Sequence, residues 1–458
     1  MKREPVGSRA LLSGTLGAGR GRRPAGDARA GEVEADRTVT DIVEELKWRG
    51  LIALSTDEDA LRKAFADGPI TFYCGFDPTA PSLHMGNLVQ LLTMRRIQDA
   101  GNFPLGLVGG STGLIGDPKP TAERTLNTKE TVADWVERIR SQVERFLDFD
   151  GPFAARIVNN LDWTGPMSAI DFLRDIGKHF RVGKMLSKDA VAARLNSDAG
   201  ISYTEFSYQI LQGLDFLELY RLHGCTLQTG GSDQWGNLTA GVDLIHRAEG
   251  VSVHVLGTPL VTKADGTKFG KTETGTVWLD PELMSPYAFF QFWLNAEDSK
   301  VVEYLKIFTF RSREQIEELA EATEQKPHLR LAQRALAEDV TTLVHGADQF
   351  RRAEAASRAL FGQGELRELD ERTLAAAFAE LPTVRVTTLG PVFELFAEAG
   401  IVPSRSAARR AIQEGGAYVN NAKIEDVDAV PKPEDLLHGR WLLLRRGRRT
   451  LGAVEFVG

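Results

Sequence analysis

The sequence predicts a doubly wound α/β domain, followed by a helical region and a small compact C-terminal unit. Strand-like runs alternate with helical runs from about residue 38 to residue 284, the pattern of a parallel sheet covered by helices on both faces. From Pro286 to about residue 380 the pattern is helical and charged, with no strand-like run. The length of 458 residues suits about three domains of roughly 150 residues each.

Taken in order, residues 1–37 are rich in Gly, Ala and Arg without hydrophobic periodicity, so they read as a disordered tail. After Thr40, the run DIVEELKWRGLI places Ile42, Val43, Leu46 and Trp48 near one helical face, and Gly50 can close that helix. Ile70–Phe76 has strand composition and leads through a Pro-Thr-Ala-Pro turn into a helix over His84–Ala100. Leu105–Gly110 is a short apolar strand ending in a Gly-rich turn. Asn127 or Thr128 caps a helix whose stripe is Val132, Trp135, Val136, Ile139, Val143, Phe146 and Leu147. Arg156–Asn160 and Cys225–Gly231 are further strands separated by helical segments. The resulting boundaries are 38–284 for the α/β domain, with a mobile lysine-bearing loop at its end, and 285–380 for the helical region. A linker at 381–390 and a C-terminal domain at 391–458 follow.

Composition narrows the function classes. With 42% hydrophobic and 26% charged residues, the chain is ordinary for a globular protein and unlike collagen, coiled coils or disordered chains. No apolar run reaches the roughly 18 residues of a membrane span. Cys74 and Cys225 make no disulfide framework and have no zinc-ligand spacing. A net charge of −8 gives no support to bulk nucleic-acid binding, so any such binding must come from local basic surfaces.

Ligands of doubly wound sheets sit at the carboxyl ends of the strands, and three such ends carry chemistry. In FYCGFDPTAPSLHMGNL, Gly75 and Gly86 allow close backbone approach, the helix start favours phosphate, and His84 and Thr79 can donate hydrogen bonds. In KADGTKFGKTETG, Lys268 and Lys271 flank a glycine in a loop that could bring two ammonium groups to a polyphosphate. In LQTGGSDQWGN, Gly230–Gly231 can admit a ribose, and Asp233 can accept its hydroxyl donors. Taken singly, each also fits a plain structural part: a capping histidine, a surface loop with two lysines, an aspartate N-cap. A fourth feature is the helical run SYQILQGLDF, where spacings of four and three put Tyr208, Gln212 and Asp215 on one face amid apolar neighbours.

Together and in this order, the segments GFDPTAPSLHMGNL, GLIGDP, TEFSYQILQGLDF, GGSDQWGN and TKADGTKFGKT resemble the bacterial-type tyrosyl-tRNA synthetases, class I aminoacyl-tRNA synthetases. The likeness runs from about Asp41 to the C-terminus. His84-Met85-Gly86-Asn87 matches the family's His-Ile-Gly-His signature, with Asn87 in place of the second histidine. Lys268-Phe269-Gly270-Lys271-Thr272 matches its Lys-Met-Ser-Lys-Ser signature.

The resemblance implies a Rossmann-like parallel-sheet catalytic domain, a helical anticodon-binding domain and a small S4-like α+β domain. It implies activation of L-tyrosine by ATP to tyrosyl-adenylate and pyrophosphate, then transfer to the 3'-terminal adenosine of tRNA. Tyr73 and Asp215 would bind the phenol hydroxyl, and Tyr208, Gln212, Asp117 and Gln234 the ammonium. Thr79, His84, Lys268, Lys271 and Thr272 would stabilise the leaving pyrophosphate. Cys74, Gly75, Asp77, Gly86, Asn87, Gly231 and Asp233, with Lys271, would line the adenylate. Mg2+ is expected to travel with ATP, with no protein-bound metal or organic cofactor. AGIVPSRSAARRAIQEGGAYVNNAKI resembles an S4-type RNA-binding module, with Arg405, Arg409 and Arg410 toward phosphates. Arg440, Arg445, Arg446, Arg448 and Arg449 form a second basic cluster around Trp441. A cytoplasmic homodimer without membrane contact is expected. The competing readings are a non-catalytic RNA-binding paralogue and a tryptophan-activating relative; a Tyr–Asp pair suits a phenol better than an indole.

Overall fold

The computed structural model describes residues 41–119, 124–197, 200–272 and 275–458; the tail expected over residues 1–37 lies outside them. Six strands form the first sheet: β1 (Leu54–Ser55), β2 (Thr71–Phe76), β3 (Phe103–Val108), β4 (Arg156–Asn159), β5 (Cys225–Gly231) and β6 (His254–Thr258). Their order is β1-β6-β5-β2-β3-β4. All neighbours are parallel except β1, which pairs antiparallel with β6 at the edge. The expected parallel sheet therefore carries one short antiparallel strand. The chain winds outward from β2 to β4 on one side and from β5 to β6 on the other. The crevice between the carboxyl ends of β2 and β5 is thus the switch point where such sheets bind ligands.

Local chemistry sets the helix starts. The first helix, Ile42–Trp48, begins one residue later than Thr40 would place it, because the Asp41 carboxylate accepts the Val43 N–H. Thr128 caps Lys129–Val143 and Ser202 caps Tyr203–His223, which closes on Gly224 in the left-handed region. Helix Met85–Asp99 is buried along most of its length, since it lies between the sheet and the helical region.

The helical region follows from Pro286–Leu294, with Ser285 as cap and Pro at the first turn. It joins the sheet domain through one continuous core that contains Leu46, Leu88, Phe289, Trp293 and Leu336. Two arginines secure the joint. Arg49 donates to the carbonyls of Lys306, Thr309 and Arg311 at 2.9, 3.0 and 2.8 Å. Arg96 donates to Thr309 at 2.6 Å. Both satisfy carbonyls at the end of helix Val301–Phe308.

A two-stranded ribbon, β7 (Lys271–Thr272) and β8 (Gly275–Thr276), precedes the helices. The C-terminal sheet is β9 (Thr383–Val386), β10 (Ala417–Val419), β11 (Ala422–Lys423), β12 (Trp441–Arg446) and β13 (Thr450–Phe456), in the order β11-β10-β12-β13-β9. Strand β9 lies inside the stretch expected as a linker and pairs parallel with β13. That stretch is an edge strand because Thr383–Val386 finds an unpaired neighbour in β13, which sequence periodicity cannot reveal. The unit packs on the helical region through Phe378 and Trp441, with ring centroids 5.6 Å apart, and through Asn421 donating to the Ala359 carbonyl at 2.7 Å.

Candidate active site

A cavity of about 400 Å³ opens at the carboxyl ends of β2 and β5. It is lined by Tyr73, Cys74, Gly75, Asp77, Thr79, His84, Gly86 and Asn87 from the first motif. The rest of the wall includes Asp117, Tyr208, Gln212, Asp215, Gly231, Asp233, Gln234 and Lys268. Five separate sequence segments therefore converge on one space. For Lys271 and Thr272 the backbone forms β7, while their side chains lie outside the described residues.

At the first strand end, His84 precedes the helix as its N-cap. Its Nδ1 accepts the Gly86 N–H at 3.1 Å, and Asn87 Oδ1 accepts the His84 N–H at 3.0 Å. A ring nitrogen that accepts a backbone hydrogen cannot carry one, so in the neutral imidazole the proton sits on Nε2. The cap thus fixes the tautomer and leaves Nε2 as the ring's donor.

Tyr73 is 1% exposed, and its hydroxyl has no hydrogen-bond partner within the described residues. Leaving a buried hydroxyl unpaired is costly. Burial and the Asp215 charge hold this phenol well above its usual pKa. Asp215, 2% exposed, accepts from Trp163 Nε1 at 2.9 Å and from Asn160 Nδ2 at 3.0 Å. Burial raises its carboxyl to about 7, against the pull of those two donors.

Asp77 accepts from Thr112 and from the Tyr208 hydroxyl, both at 2.6 Å. Gly109 is required there: a Cβ would meet Asp77 Oδ1 at 2.2 Å. Asp117 accepts from Gln234 Nε2 at 3.2 Å and Asn237 Nδ2 at 2.9 Å. Burial raises both carboxyls. Cys74 behaves as a buried apolar residue, its thiol pushed up to about 12 by burial.

The lysine-bearing loop, expected to be mobile, is anchored at its centre. Phe269 packs against Tyr304, Phe292, Trp293 and Phe308, with centroid distances of 4.2, 5.1, 5.5 and 5.8 Å. Gly270 has φ +81°, and a Cβ there would lie 2.6 Å from Met85 Cβ, so this position demands glycine. The anchor holds Lys268 at the cavity mouth beside the His84 helix. Phe269→Ala is expected to lower stability by about 3–5 kcal/mol, read as a drop in the urea midpoint.

Several residues that line the cavity, or that hold its lining side chains from behind, were not named from the sequence. Asn160 follows β4, and its side chain bonds Asp215, Thr112 and the Ser111 N–H. The rule that ligands sit at the carboxyl ends of the strands applies to it as it does to Gly75 and Gly231. Trp163 lies one turn on. Arg124 lines the cavity and donates to the Asp117 carbonyl at 2.8 Å. Its own N–H is held by Glu205, which forms a buried ion pair with Arg194 at 3.0 Å. No local pattern marks Arg124 or Gln228, because only the fold brings them to this wall.

The expected RNA-facing arginines lie on the C-terminal unit, away from the cavity lining. Arg405 pairs with Glu394 at 3.0 Å, and Arg409 pairs with Asp428 at 3.3 Å while stacking on Phe393. Both side chains stay largely exposed, as does Arg410.

The comparisons with known proteins agree with this geometry. The family model for class I tRNA synthetases (W and Y) matches residues 66–362, and that for the tyrosine--tRNA ligase SYY-like C-terminal domain matches residues 373–453. Tyrosine--tRNA ligase of Streptomyces avermitilis is 73% identical over 421 residues, covering 92% of this chain and the whole of that protein. The Leifsonia xyli subsp. xyli enzyme of the same name is 62% identical, covering 92% of this chain and 95% of its own length. Among solved structures, a C-terminally truncated mitochondrial tyrosyl-tRNA synthetase from Coccidioides posadasii superposes with a TM-score of 0.61 at 32% identity. It covers 68% of this chain and 90% of its own. With a cavity that gathers the residues of all five motifs, and with relatives matched over nearly their full length, the chain belongs to the tyrosine--tRNA ligase family of class I tRNA synthetases.

Proposed function

We propose that the cavity condenses L-tyrosine with ATP and then passes the tyrosyl group to tRNA. The observation that carries the residue assignment is the orphaned Tyr73 hydroxyl beside the buried Asp215 carboxylate. A substrate phenol accepts from Tyr73 and donates to Asp215, whereas an aromatic side chain without a hydroxyl leaves the Tyr73 hydroxyl unpaired and gives Asp215 no donor beyond Asn160 and Trp163. Asp117, Tyr208, Gln212 and Gln234 would receive the substrate ammonium.

In the first step a substrate carboxylate oxygen bonds to the α-phosphorus, and the bond from that phosphorus to the bridging oxygen breaks. Pyrophosphate leaves with the electron pair. No side chain needs to act as a nucleophile; catalysis is positioning and charge stabilisation by Thr79, His84, Lys268, Lys271 and Thr272. Cys74, Gly75, Asp77, Gly86, Asn87, Gly231 and Asp233 would border the nucleotide. In the second step a terminal-adenosine hydroxyl attacks the tyrosyl carbonyl and AMP leaves. Among the described residues, no group of three His, Cys, Asp or Glu side chains is placed to hold a metal ion. The proposal takes Mg2+ as part of the ATP substrate.

Arg405, Arg409 and Arg410 would meet the RNA backbone from the S4-type unit. Pairing of two subunits would use the apolar side chains at Leu161, Ile170, Leu173 and Val182, all exposed. No helix of the described residues is long and apolar enough to cross a membrane; a cytoplasmic site of action is part of the proposal.

The test is exchange of labelled pyrophosphate into ATP, expected only when tyrosine is present. Exchange without tyrosine dependence overturns the reading, and RNA binding without exchange replaces it with a non-catalytic one. Tyr73→Phe is expected to raise KM for tyrosine by about tenfold and to narrow the preference over phenylalanine, measured by the same exchange with each amino acid.

A further inference from the structure

We propose that Lys188 is a positioning residue for the tyrosine ammonium site, acting through Asn237 on the orientation of the Asp117 carboxylate. This rests on the reading of the cavity as a tyrosine-activating site.

Both oxygens of Asp117 are engaged by amide nitrogens, Oδ2 by Gln234 and Oδ1 by Asn237. The Asn237 nitrogen also donates to Gln234 Oε1 at 2.8 Å, so the two amides and the carboxylate form a closed triangle. The triangle exists only if both amides point their nitrogens toward Asp117. Either amide flipped by 180° would set oxygen against a carboxylate oxygen.

What chooses the flip lies outside the cavity. Lys188 Nζ donates to Asn237 Oδ1 at 2.5 Å. Burial pulls the Lys188 amine down to about 7 against the Asp117 charge; in its ammonium form it has three donors and no acceptor, so it can face only the carbonyl end of Asn237. That contact commits the Asn237 nitrogen to Asp117 and Gln234, and through Gln234 Oε1 it commits the second amide as well.

The lysine is built into place. It precedes helix Asp189–Leu195 and makes no capping bond there. Its stem crosses Gly236, where a Cβ would come within 3.0 Å of Lys188 Cε. The glycine in Asp-Gln-Trp-Gly-Asn thus has a use no strand-end rule supplies: it opens a path for Lys188 to reach Asn237. The neighbouring Lys184 is engaged elsewhere, with Asp243. Lys188 also lowers the Asp117 carboxyl against the effect of burial, which favours the ionised form that a substrate ammonium needs.

Steady-state pyrophosphate exchange on the full chain, without tRNA, separates this part from any contact with the RNA. Lys188→Met is expected to raise KM for tyrosine about tenfold, with KM for ATP and kcat within about twofold of wild type. Lys188→Arg should restore KM to within about threefold. In an Asn237→Ala background, Lys188→Met should add less than about twofold, because the route through Asn237 is already cut. An unchanged KM in Lys188→Met overturns the proposal, as does a full additional loss in the Asn237→Ala background. A fall in kcat at constant KM does so too. Should Lys188→Met fail a thermal-melting check of folding, Lys188→Gln takes its place. Its amide can present either end to Asn237, so about a threefold rise in KM is expected, and none overturns the proposal. Wild-type protein without tyrosine-dependent exchange would instead remove the underlying reading of the cavity.

Discussion

Asp215→Asn should lower kcat/KM for tyrosine by about 100-fold or more in pyrophosphate exchange, while KM for ATP moves little. The substitution removes the charged acceptor proposed for the substrate hydroxyl. It also leaves one of the two donors, buried Asn160 or half-buried Trp163, facing an amide nitrogen. Loss of a charge-assisted bond together with an unpaired buried group accounts for about 3 kcal/mol or more. A loss below about tenfold would place the phenol elsewhere.

The same variant reports on stability with a definite sign. Burial raises the Asp215 carboxyl from 3.8 to about 7, so between those values the folded protein holds a proton that the unfolded chain has released. The stabilisation from that protonated form is full below pH ~4 and lost as pH rises through ~7. The wild type should therefore lose stability relative to Asp215→Asn between pH 5.5 and 8.5, by about 2 kcal/mol. Chemical denaturation of both proteins at the two pH values measures this, and an opposite trend would contradict the burial of an ionisable carboxyl.

Lys268→Ala should lower kcat for tyrosine activation by about 100- to 1000-fold, with KM for tyrosine within a few-fold. Charge moves onto the leaving pyrophosphate as the bond to the α-phosphorus breaks. A fixed cation aimed at that charge gains most in the transition state, and removing such a donor costs about 3–4 kcal/mol. The aromatic anchor at Phe269 fixes the backbone that carries Lys268. A rise in KM for ATP with kcat unchanged would show Lys268 to be a ground-state binding residue instead.

Much of the site was readable along the chain because its chemistry sits in short, local words. Glycine at a strand end, histidine at a helix start and lysines around a glycine each have a physical reason within a few residues. The three polar positions at Tyr208, Gln212 and Asp215 follow from helical spacing alone, and all three line the cavity. Strand β6 and the edge strands β1 and β9 were not readable. The edge pair are two and four residues long, and their strand character depends on neighbours supplied by β6 and β13. The same holds for Asn160, Trp163, Arg124 and Lys188. Each is an ordinary residue in its own segment and acquires meaning from what the fold sets against it.

By itself, then, the sequence determined the helices and the central strands that carry the motifs, the order of the chemical segments and the family, since these rest on periodicity and on contiguous residue choice. Only the tertiary structure decided which polar groups would be left without partners and which would be oriented by others. Tyr73 keeps an unpaired hydroxyl because it is buried where no other side chain among the described residues satisfies it. Asp117 keeps its orientation because a lysine 71 positions along the chain reaches Asn237 across a glycine. Burial and hydrogen-bond orientation are properties of three-dimensional neighbours, and the linear order of residues does not contain them.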